Sequence, residues 1–304
     1  MLIEGSEKML LTKLTYEGER QFIEKIQNIP NKLKEKDVKL GISESIEGKT
    51  HFIKIFCNDE CYDKKIKSIV NLYISKILYE IIIDMFNKKE LFEYLTDSYF
   101  FLKQEEMLEV EEKIMNILYG REKINDETNI YCINRINEIT EKIKECVEEN
   151  ENINIDGFLR FRSKDIATDI EKIIDKVIEQ YMVEKEYKEF IDLLKYFVDI
   201  QESKIEEVNI IIEDEGQYKI TDKLGNNIFY KFISELSECN MGKGINVEDI
   251  IISGLITNSP ENIIIHHCDR CLNKEFIDTI KNVFGERVRY CEKCSICTIP
   301  KIKL

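Results

Sequence analysis

The sequence has no tryptophan, a single alanine (Ala167) and only three prolines, Pro30, Pro260 and Pro300. Isoleucine, lysine, glutamate and asparagine take their place, a bias that fits an AT-rich genome rather than a particular function. Long apolar runs are also missing. Ile81-Ile82-Ile83 is cut off by Glu80 and Asp84, and the longest uncharged stretch of the central helices is Ser68 to Ser75. A membrane span needs about 20 consecutive apolar residues, so no membrane contact is expected. Glu4 and Glu7 stand near the N-terminus with no cleavage signal, which excludes a secretory leader from the expectation. Positive charge is in deficit: 44 Lys and Arg against 59 Asp and Glu leave a formal charge of −15. Such a field repels phosphate backbones and anionic lipid, so nucleic acid is not an expected partner.

Catalytic signatures are absent as well. With three histidines in the chain, no nucleophile, base and orienting group can be assigned together. There is no Walker loop and no H-E-x-x-H. Gly242-Lys243-Gly244 lacks the third glycine of a dinucleotide fingerprint and does not follow a strand. The chain is therefore expected not to be an enzyme.

What is present is enough apolar material, 43% of 304 residues, for a sizeable core and two or three subdomains. The patterning predicts a predominantly helical α+β protein. Residues 1–60 read as a small α+β unit: a strand over Met9 to Thr15, a helix over Glu17 to Lys36, and a hairpin of Val38 to Ile46 with Thr50 to Cys57 across Glu47-Gly48. Residues 61–205 read as a helical region. Its stripes run through Ile66, Val70, Tyr73 and Ile77, through Met107, Val110 and Ile114, and through Ile136, Ile139 and Ile143. Glu148 to Asn152 reads as a loop before a further long helix, whose phase slips between Tyr181 and Tyr187, as at a bend or a change of packing partner. No heptad is sustained and no fixed-period repeat is present. These stripes are the ordinary way to build a core.

Residues 206–304 change character and read as an α/β unit. Val208 to Glu213 and Gln217 to Asp222 form a hairpin pattern, and short helices are expected over Ile228 to Leu236 and Asn246 to Thr257. Ile263-Ile264-Ile265-His266 has the continuous apolar character of a buried strand. Asn273 is placed as the cap of a following helix and Gly285 as its stop, with a final strand over Arg287 to Cys291.

That unit carries a cysteine cluster: Cys268-x2-Cys271, nineteen residues, then Cys291-x2-Cys294-x2-Cys297. Two thiolates three residues apart reach one tetrahedral ion from a tight turn, and a second such pair completes four ligands. A strand-helix-strand unit between the pairs would bring both to one sheet edge. Structural zinc is the leading cofactor, and outside this cluster none is implied. Two alternatives stay open. The tail begins like an iron–sulfur run, but Thr298-Ile299-Pro300 lacks the fourth cysteine. A redox dithiol is the other, because Cys271 precedes a helix. His266 and His267 adjoin the cluster, and strand alternation lets at most one face it. Cys57, Cys61, Cys132, Cys146 and Cys239 lack this spacing and read as small apolar residues. Arg160, Arg162 and Lys164 form a small basic patch that most simply precedes a helix and pairs with Asp156 and Asp165.

Several stretches resemble a known family. They are Asp156-Gly157-Phe158 with Phe161-Arg162, Tyr181 to Tyr187, Phe190 to Val198, Leu255-Ile256 through Pro260, Ile263 to His266, and Thr279 to Phe284. Over about 155–297 the chain resembles the YtxC-like sporulation family of endospore-forming bacteria. The resemblance implies a role in endospore formation and a cytoplasmic location, and it supplies no catalytic residue. Together with the residues, it points to a non-enzymatic protein acting through protein contacts, with a thiol-redox or iron–sulfur sensor as the alternative.

Overall fold

Alternating apolar side chains make the first strand, β1 (Lys8–Glu17), which buries Leu14 and Tyr16 on one face. A bulge between Leu10 and Thr12 breaks the alternation, and Leu11 and Thr12 are both buried there. A computed structural model describes residues 8–17, 21–34, 40–58, 63–122, 127–237, 246–292, 294 and 297. The expected helix over Glu17 to Lys36 is two short ones, α1 (Gln21–Gln27) and α2 (Ile29–Lys34). Pro30 has no N–H to bond back into the preceding turn, so the helix breaks before it. Glu17 closes β1 instead, and Glu35, Lys36 and Val38 lie outside the described residues. The hairpin is β2 (Leu40–Glu47) with β3 (Thr50–Asn58), turned by Gly48 at φ 65°.

The helical stripes are observed. Asp63 caps α3 (Lys64–Phe86) by accepting from the Lys65 N–H at 3.2 Å. A π-helical turn (Asn87–Leu91) leads into α4 (Phe92–Ser98), followed by α5 (Gln104–Leu118) and α6 (Glu127–Glu149). Within the expected loop and just after it, Asn152–Asn154 forms β4, which pairs in parallel with β1 through Leu14 and Ile153. The first sheet thus has the order β2-β3-β1-β4.

The helix α7 (Ile155–Ile200) changes packing partner where the apolar phase slips. Ile166, Ile170 and Ile174 enter one core with Leu14, Ile53 and Leu78, while Ile191 and Val198 enter a second. The chain accordingly divides into two units, Met1–Met182 and Val183–Leu304. In the first, the small sheet and the central helices, read from sequence as separate regions, share one core.

The second unit is built on a sheet of order β6-β5-β7-β8. Its hairpin is β5 (Glu207–Ile212) with β6 (Tyr218–Asp222), followed by α8 (Phe229–Ser237) and α9 (Val247–Asn258). The buried apolar strand β7 (Asn262–His266) runs parallel to β5. The Asn273 side chain caps α10 (Lys274–Phe284), and Gly285 ends it at φ 53°. The chain then returns as β8 (Val288–Tyr290), parallel to β7 through Ile264 and Arg289. The expected strand-helix-strand crossover is thus present with its two strands adjacent, so both strands end at the same sheet edge.

Candidate metal centre

The C-terminal ends of β7 and β8 build the site. The Cys291 N–H extends the ladder by donating to the Ile265 carbonyl at 2.9 Å. Cys291 is thereby held beside His266, the last residue of β7, which is 2% exposed. Beyond it, the Cys294 N–H points at Cys291 Sγ (3.3 Å), and the Cys297 N–H donates to the Cys294 carbonyl at 3.1 Å. Two hydrogen bonds at a spacing of three residues bring all three thiols together.

His266 Nδ1 lies 3.5 Å from Cys294 Sγ and 3.4 Å from Cys297 Sγ. Cys297 Sγ lies 3.6 Å from Cys291 Sγ and 3.9 Å from Cys294 Sγ. All four ligand atoms fall within 4.8 Å of one another. In a tetrahedral site with zinc–sulfur bonds of about 2.3 Å and zinc–nitrogen bonds of about 2.0 Å, neighbouring ligand atoms stand roughly 3.5–3.8 Å apart. Those four separations, 3.4–3.9 Å, bracket that range, and all the ligand atoms stay within 4.8 Å of one another; one histidine with three cysteines is an established zinc ligand set. The residues fit a metal.

The electrostatics fit as well. Burial, reinforced by neighbouring His267, holds the His266 pKa below its ordinary value, so the ring is neutral and carries a free lone pair at neutral pH. Burial, then the adjacent thiols of Cys291 and Cys294, push Cys297 up to about 12. Thiolates crowded in this way need a cation among them, and a divalent ion supplies one.

The geometry divides the five cysteines singled out by spacing. Cys291, Cys294 and Cys297 converge with His266; Cys268 and Cys271 stand outside the group. His267 adopts a left-handed conformation (φ 54°) and starts a 3₁₀ turn over Cys268–Arg270, which carries the chain off the strand line and leaves Cys268 exposed. Cys271 packs against the second core, where its thiol donates to the Asn273 carbonyl at 3.0 Å and lies 3.6 Å from the Tyr218 hydroxyl. Of the two histidines, the one facing the cluster is His266, in line with strand alternation.

Sequence reading missed Asn209, whose side chain touches His266 from behind. The available signal was a polar residue between Val208 and Ile210 in the apolar part of the strand. Cys57 and Cys132 are buried and Cys146 half-buried. Cys61, Cys239, the Gly242-Lys243-Gly244 stretch and Thr298-Ile299-Pro300 lie outside the described residues. In the basic patch, Arg162 reaches Asp165 at 3.9 Å, whereas Asp156 accepts the Glu17 backbone N–H at 2.7 Å.

Fold and site together define a predominantly helical α+β protein with two small mixed sheets, the second carrying a histidine–cysteine cluster at its edge that could hold a metal ion. The chain belongs to the YtxC-like family, whose model matches residues 72–289. The match takes in the central helices as well as the second unit; it includes Asn209 and His266 and stops just short of Cys291. No curated protein and no solved structure matches the chain. Among the described residues, no helix is long and apolar enough to cross a membrane.

Proposed function

We propose that this chain is a non-catalytic protein of the cytoplasm that acts through contacts with other proteins during endospore formation. In this reading its second unit is pinned by one zinc ion held by His266, Cys291, Cys294 and Cys297. The observation that carries the zinc reading is the approach of four ligand atoms to within 4.8 Å at the end of two parallel strands. Four protein ligands leave no open coordination position, so the ion would hold the fold rather than activate water or substrate. It would fasten the residues beyond Cys291, whose bond to Ile265 is the last of the ladder among the described residues. A reducing compartment keeps such thiols available to a metal, which supports the cytoplasm. The family supports the sporulation context, and the formal charge of −15 favours protein partners over nucleic acid.

The test is elemental analysis of protein purified anaerobically without a polyhistidine tag. About one zinc per chain is expected in the native protein and in Cys268→Ser, and none in Cys297→Ser. Iron with a brown colour would replace this reading with an iron–sulfur centre, and a metal-free native protein would remove the centre. For the biological role, deleting the gene in an endospore-forming host should lower spore yield while leaving vegetative growth unchanged; unaltered spore yield would contradict it.

A further inference from the structure

The two ring nitrogens of buried His266 face different groups. Nδ1 faces the thiols of Cys294 and Cys297. Nε2 lies 2.9 Å from Oδ1 of Asn209, which is 6% exposed and sits on the neighbouring parallel strand β5. Asn209 is itself oriented, because its side-chain nitrogen donates to Glu207 Oε1 at 3.1 Å and to the Asp222 carbonyl at 3.4 Å. A carboxylate and a carbonyl only accept hydrogen bonds, so the NH₂ end of the amide must point at them and its oxygen at the histidine. An amide oxygen also only accepts, so Nε2 carries the proton. In a neutral imidazole the free lone pair is then on Nδ1, aimed at the three cysteines.

The register explains how the strands achieve this. Ile211 is the β5 residue paired with His266, and Asn209 is two residues earlier on the same strand. Residues two apart share a face of a sheet, so Asn209 meets the imidazole as a diagonal neighbour. Glu207, two residues earlier again, continues the row. A polar residue between Val208 and Ile210 would be costly in a buried strand without such partners.

We propose that Asn209 is a positioning residue for the metal centre: it selects the Nε2–H tautomer of His266 and aims Nδ1 at the ion, with Glu207 and the Asp222 carbonyl holding the amide in place. The inference rests on the zinc reading above. An acceptor behind a ligating histidine raises the basicity of the ring and fixes its angle, and losing such a group weakens metal binding about 10–100-fold. Asn209→Leu keeps the size and removes the acceptor.

The experiment uses the full chain with cobalt(II), whose affinity is measured by chelator competition. Asn209→Leu is expected to bind about 10–100-fold more weakly than the native protein. Native affinity in Asn209→Leu would overturn the proposal. A second measurement needs no variant: in native protein labelled with nitrogen-15 and loaded with cadmium-113, the metal should couple to His266 Nδ1, with the proton on Nε2. Coupling to Nε2 would overturn the proposal while leaving the metal centre intact. A native chain that binds neither cobalt nor cadmium would remove the centre and this inference together, and it shows itself before any substitution is made.

Discussion

The Cys291 N–H donates to the Ile265 carbonyl at 2.9 Å, which sets the first cysteine of the tail alongside His266 at the sheet edge. Strand pairing thus delivers two of the four ligands, and the hydrogen bonds of Cys294 to Cys291 and of Cys297 to Cys294 deliver the others. Pairing and metal binding should therefore reinforce each other.

A metal bound only by the folded state stabilises it by mass action, by about 4 kcal/mol when free zinc stands 1,000-fold above the dissociation constant. Adding a strong chelator should accordingly lower the thermal midpoint of the native protein. It should leave Cys297→Ser unmoved, because that variant has no centre to lose. Cys268→Ser should respond as the native protein does, its thiol being exposed and outside the group. Scanning calorimetry with and without chelator checks all three. A chelator response lost in Cys268→Ser would contradict the ligand assignment.

Gly254 on α9 lies against Phe232 of α8, a fully buried ring of the second core. A Cβ at 254 would stand 2.2 Å from two carbons of that ring. Gly254→Ala should destabilise the protein by about 1–3 kcal/mol through overpacking. Combined with Phe232→Leu, the cost should be less than the sum of the single changes, since the smaller side chain relieves the clash. Urea denaturation of the four proteins measures this; strict additivity would refute the contact.

Asp169 of α7 is 7% exposed and accepts from Lys142 at 2.6 Å and Lys172 at 3.3 Å. Burial works to raise its pKa, but the two lysines outweigh it and hold the carboxyl below its ordinary value. A depressed carboxyl pKa contributes stability that is present above the unfolded value and lost as pH falls through the folded one. Asp169→Asn should therefore cost about 1 kcal/mol at pH 7, modest because both lysines are half exposed. The gap should close toward pH 3. Denaturant midpoints at the two pH values test this, and a gap that persists unchanged in acid would show that charge pairing is not its origin.

Much of this fold was legible locally. Stripes such as Ile66, Val70 and Ile77, the Glu47-Gly48 turn, the Asn273 cap and the Gly285 stop are signals carried within a few residues. The strand β4 was not legible: Asn152–Asn154 is three residues long, and its partner in β1 lies far away in sequence. The cysteine tail was visible as a motif, but spacing alone pairs Cys291 and Cys294 with Cys268 and Cys271. What separates them is one left-handed residue, His267, which no composition rule marks. Asn209 was hidden for a similar reason, because its meaning depends on a histidine 57 positions away.

The ligand set itself is the most direct test of the account. X-ray absorption at the zinc edge of the purified protein counts sulfur and nitrogen neighbours without any substitution. Three sulfurs at about 2.3 Å and one nitrogen at about 2.0–2.1 Å are expected, from Cys291, Cys294, Cys297 and His266. Four sulfurs would contradict the geometry and return Cys268 or Cys271 to the site.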